Sequence, residues 1–114
     1  MNIMGMKPYP LGSFEELVLL TVGVLYNNAY GVLIRKELEE RFERKVSIGA
    51  LQSALRRMEE KGYLVSRLGD TSNARGGKRK RYFTITAFGK RALEYARESR
   101  EGLWRDIPHV ALDF

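Results

Sequence analysis

The sequence predicts a mainly α domain carrying one small β-hairpin. Apolar residues recur at helical spacing in four stretches, and two short β-type runs flank a Gly-rich loop between the third and the fourth. The excess positive charge is confined to that third helix and hairpin. Val46 to Thr86 holds nine Lys or Arg against three acids, a surplus of six, and the formal net charge of the whole chain is also +6. The other segments therefore cancel. A positive field focused on one region is the footprint of a polyanion-binding surface rather than a general solubility charge.

The first helix is expected from Ser13, whose hydroxyl and Glu16 match a capping box, to about Tyr26. Its apolar residues lie almost all round, so it should be largely buried, either by later helices of the same chain or by a neighbouring subunit. Met1 to Pro10 shows no periodicity and two prolines, and residues 1–12 read as a loose arm. Asn27-Asn28-Ala29 turns the chain into a second helix from about Tyr30 to Phe42. Ile34, Leu38 and Phe42 form its inner row, and charges of alternating sign mark a solvated outer face.

Ser47 is a good N-cap for the third helix, whose inner row is Ile48, Leu51, Leu55 and Met58, and Gly62 ends it. The opposite face presents Gly49, Gln52, Ser53, Arg56 and Arg57. These are the groups that reach base edges and phosphates: Gln pairs bidentately with adenine, Arg with guanine or phosphate, and small residues admit the backbone. Tyr63 to Leu68 and Arg81 to Ile85 read as strands joined by a turn-rich loop. The hairpin is basic, with Arg75, Lys78, Arg79, Lys80 and Arg81, more cations than protection of a strand edge requires. Thr86 caps a last helix through Arg100 and on to Asp106 if it passes Gly102, and Pro108 precedes a short tail. A projecting terminal helix with Leu, Tyr and Trp on it calls for a partner. Phe14, Val18, Leu93, Ala96, Leu103 and Trp104 are the expected contacts of a homodimer.

Together these elements make a winged helix-turn-helix domain over residues 13–86, a C-terminal dimerisation helix over 87–107 and a tail over 108–114. The expected function is sequence-specific binding of double-stranded DNA by a homodimer on a near-palindromic site. Gln52, Ser53 and Arg56 would read bases, while Ser47, Arg57 and the wing would hold phosphate. A protein-interaction module with an acidic partner is the alternative. RNA binding lacks exposed stacking aromatics, although one of Tyr82 and Phe83 must face outward.

Composition excludes much else. With 114 residues, 44% hydrophobic and 30% charged, the chain suits one packed domain. No run approaches the ~20 apolar residues of a membrane span, and Leu17 to Leu25 lacks the flanks of a signal peptide, so a cytoplasmic location is expected. The chain has no cysteine, and its single histidine, His109, follows a proline in the tail. Gly76-Gly77 is too short for a nucleotide-binding loop. No catalytic residue, metal ligand or cofactor is assigned.

The residues also carry a family resemblance. Leu19-Leu20, Tyr30-Gly31, the run from Gly49 to Leu64, the wing from Arg75 to Thr86, and Ala87-Phe88-Gly89 occur in the order found in PadR-family transcriptional regulators. The chain resembles the short form of that family from about Leu11 to Trp104. The resemblance implies a homodimeric DNA-binding regulator, commonly a repressor. It also implies an optional small hydrophobic effector, which some short relatives bind between subunits through a Trp on the last helix. Two departures stand out: Gln52 replaces the usual Tyr, and alignment from Thr86 puts Arg100 near that Trp, with Trp104 one turn later as a dimer anchor.

Overall fold

A computed structural model describes residues 8–69 and 79–114. Its elements are α1 (Ser13–Leu25), a 3-10 turn (Tyr26–Asn28), α2 (Gly31–Phe42), α3 (Ile48–Glu60), β1 (Leu64–Leu68), β2 (Arg81–Ile85), α4 (Ala87–Asp106) and a second 3-10 turn (His109–Leu112). The winged arrangement follows from how these pack. Helices α1, α2 and α3 enclose a core centred on Leu19, Ile34, Leu51 and Met58, all fully buried. The strands pair antiparallel in the register Leu64↔Ile85 to Leu68↔Arg81. Phe83 seals the hairpin onto the helices, and its N–H donates to the Ala29 carbonyl at 2.8 Å.

Capping chemistry sets the helix ends. Ser47 Oγ accepts from Ala50 N at 3.3 Å, and Thr86 Oγ1 accepts from Gly89 N at 3.0 Å while donating to Gly62 O at 2.6 Å. Gly62 leaves α3 at φ 83°, a left-handed turn that costs glycine little. The cap of α1 falls one residue before the expected Ser13: Glu15, not Glu16, accepts from the backbone of Gly12 at 2.8 Å. Glu16 instead meets Arg100 of α4 at 2.7 Å.

Four expectations change. Val18 is 0% exposed and packs wholly within its own chain, so it has no surface to offer a partner. Phe42 and Ile48, expected in the core, are exposed because each lies at a helix end that overshoots the packed layer. Residues 8–12 are not a loose arm: Lys61 Nζ and Tyr63 Oη both donate to Pro10 O at 3.1 Å, and the Tyr9 ring lies 5.5 Å from Phe88 and 5.6 Å from Tyr95. Arg57, expected on phosphate, donates from Nε to Glu15 Oε2 at 2.9 Å. The buried Glu15 carboxylate also accepts from Lys61 Nζ at 2.8 Å, which bolts the end of α3 to the start of α1.

Two predictions follow from this packing. Burial alone would raise the Glu15 carboxyl, but hydrogen bonds from Lys61, Arg57 and Gly12 outweigh it and bring the pKa from 4.5 to about 2. Because the fold favours the ionised form, this contribution is complete above pH 4.5 and drains away as pH falls toward 2. Glu15→Gln should therefore cost about 2 kcal/mol in urea unfolding near neutral pH, and the deficit should shrink at pH 3. An equal deficit at both pH values would contradict the clamp. Gly89 is buried where α4 passes the Tyr63 backbone, and a Cβ there would overlap the Tyr63 carbonyl. Gly89→Ala should lower stability by about 3 kcal/mol; an unchanged urea midpoint would show that α4 does not need this approach.

Candidate nucleic-acid interface

The exposed face of α3 and the start of β2 border one cleft of about 630 Å³. It brings together Gln52 and Arg56 of α3, Tyr30 and Val32 at the start of α2, and Arg79, Lys80 and Arg81 of the wing. The apolar row Leu51, Ala54, Leu55 and Met58 is buried on the other side, so helical geometry turns Gln52 and Arg56 outward. Gly49 is exposed and Ser53 half-buried, and Ser47 uses its hydroxyl as the cap. Arg57 stands apart, at Glu15. Arg75 and Lys78 lie outside the described residues. At the other end of the molecule Phe14, Leu93 and Ala96 are half-buried, while Leu103 and Trp104 are 72% and 69% exposed.

The wing cations are held by groups that composition alone did not point to. Lys80 Nζ sits 4.5 Å from the centroid of the Tyr30 ring, Tyr30 meets Tyr82 edge to face at 5.5 Å, and the Arg67 guanidinium covers Tyr82 at 4.9 Å. The sequence holds the signal, since Lys80 and Tyr82 share one strand face and Arg67 pairs with Tyr82, but reading it needs the register. Arg81 Nη1 donates to Ser66 Oγ at 3.0 Å, and that hydroxyl donates to Glu59 Oε2 at 2.7 Å. Arg79 Nε donates to Gly69 O at 2.9 Å. These contacts aim the cations without burying them.

Four cations, Arg56, Arg79, Lys80 and Arg81, share this cleft with Glu59. Among the described residues no group of three His, Asp or Glu is placed to hold a metal, and no helix is long and apolar enough to cross a membrane. Of the aromatics that could stack an unpaired base, Phe83 is buried and Tyr82 is already flanked by Tyr30 and Arg67.

Comparison with known proteins places this architecture. No curated protein matches the chain. Among solved structures, a PadR family transcription regulator from hypervirulent Clostridium difficile is 28% identical, with 78% of this chain and 91% of that one covered and a TM-score of 0.63. A PadR family transcriptional regulator from Eggerthella lenta is 26% identical over 78% of this chain and 75% of that one, with a TM-score of 0.64. A PadR-like transcription factor from Bacteroides fragilis shares the fold, with a TM-score of 0.70, 22% identity and coverage of 85% and 88%. The family model described as the transcriptional regulator PadR-like family matches residues 19–95, from the middle of α1 into α4, and the chain belongs to that family.

Proposed function

We propose that the protein is a homodimeric repressor that binds a near-palindromic operator in double-stranded DNA, with residues 13–86 as the DNA-binding unit and 87–107 as the pairing helix. One observation carries this reading: Gln52 and Arg56 of α3 open onto the same cleft as Arg79, Lys80 and Arg81. A helix set in a major groove then has its wing against the flanking phosphates. Gly49 adds support. A Cβ at this position would meet nothing closer than Ser47 Oγ at 3.7 Å, so the chain's own packing does not call for a glycine in a helix. Close approach of the DNA backbone does.

Dimerisation is supported by the surface of α4. A groove of about 440 Å³ between α1 and α4 is lined by Leu20, Leu93 and Trp104 and rimmed by charges of both signs, with Arg100 paired to Glu16 and Arg97 to Glu101. A second copy laid along it would cover Trp104, and binding of one duplex by both copies would require their α3 helices to stand roughly 34 Å apart, one turn of the duplex. A small hydrophobic effector held between the two copies, beside Leu93 and Trp104, would release the DNA.

Two measurements test this. In a gel-shift series over salt, Arg79→Ala with Arg81→Ala should weaken all duplexes alike and flatten the slope of log affinity against log salt by about 2 per subunit. An unchanged slope would remove the wing from the phosphates. Leu103→Asp with Trp104→Asp should sediment as a monomer that keeps the far-UV circular dichroism of the folded chain, and should bind the duplex at least about 100-fold more weakly. A dimer that survives both changes would put the interface elsewhere.

A further inference from the structure

The reading face carries two aliphatic side chains among its cations. Ile48 opens α3 and is 43% exposed, and Val32 near the start of α2 is 68% exposed. Both line the cleft that holds Gln52, Arg56 and the wing, and both line a smaller neighbouring recess of about 280 Å³ whose charges, Arg35 and Lys36 against Glu39 and Glu40, balance. They are therefore neighbours across the junction of α2 and α3. The core beneath does not need Ile48, because Leu51 and Leu55 already fill that side of α3. On its cleft side this apolar spot faces Arg56, Arg79, Lys80 and Arg81, which outnumber Glu59, and that side suits an occupant that is anionic overall and apolar at one point.

Duplex DNA has one such point in its major groove, the 5-methyl group of thymine. Ile48, Gln52 and Arg56 follow each other at intervals of four, so they form a single row along α3. At about 1.5 Å rise per residue, Ile48 stands roughly 6 Å from Gln52 along the axis, under two base steps of about 3.4 Å. We propose that Ile48, backed by Val32, reads a thymine methyl within about two base pairs of the base that Gln52 contacts. The pair distinguishes T·A from C·G at a position where no hydrogen bond from α3 is made. This proposal rests on the DNA-binding reading above.

The test uses the full-length protein and the duplex it selects from a randomised library, resynthesised with uracil in place of thymine. Loss of the methyl should weaken binding by the wild type about fourfold for each methyl contacted. Ile48→Ala should bind the thymine and uracil duplexes equally, near the wild type's affinity for uracil, and Ile48→Val should keep most of the preference. A thymine preference that is the same in Ile48→Ala as in the wild type, or absent from the wild type, overturns the role of Ile48. Failure of the wild type to retain any duplex at low salt would overturn the DNA-binding reading beneath it, and is told apart by the missing shift.

Discussion

The buried carboxylate of Glu15 fixes the pitch of the helix on which the rest of the surface depends. Apolar burial seats α3 through Leu51, Ala54, Leu55 and Met58, but burial has no direction and would let a helix slide or rotate on its seat. Charge-assisted hydrogen bonds have direction. Glu15 takes one from Arg57 and one from Lys61 at the C-terminal end of α3, and Glu39 accepts from Val46 N at 2.7 Å just before its N-terminal end. Held at both ends, α3 presents one face. The same corner gathers residues 9 and 10 and the start of α4, since Lys61 and Tyr63 hold Pro10 while Tyr63 and Tyr9 pack on Phe88.

What this rigidity gives is a preorganised cationic surface. Flexible Lys and Arg side chains lose rotamer freedom when they bind, and here part of that loss is met in advance. Lys80 rests over Tyr30 and Arg81 leans on the Ser66 and Glu59 pair, so both stand near the cleft before any anion arrives. Glu59 also borders the cleft, where a carboxylate opposes phosphate. Its hydrogen bond with Ser66 ties it into the support of Arg81.

Much of the architecture was legible in the sequence. Ser47, Gly62 and Thr86 end or begin helices for local reasons, so short-range capping chemistry is enough to locate them, and Arg81 to Ile85 is a strand as its alternation suggests. Long-range pairing was not legible. Arg57 looks like a phosphate contact because its partner Glu15 lies 42 residues away, and Glu15 and Glu16 look like ordinary first-turn acids on an otherwise apolar helix. Periodicity also does not say where a core stops. Ile48 fits the inner row of α3 by spacing yet projects past the packed layer, and Val18 on the all-apolar α1 turned inward where an interface was expected. Both depend on which neighbours arrive, which one chain's local pattern does not encode.

In the proposed complex α3 and the wing meet the duplex together, in two copies. A footprint on the selected duplex, with dimethyl sulfate reading guanine N7 in the major groove and hydroxyl radical reading the backbone, tests this most directly. Two major-groove segments protected on one side of the helix, about one turn apart and each flanked by wing protection on the backbone, are the predicted result. Protection of a single segment, or of the major groove with no flanking backbone protection, would contradict it.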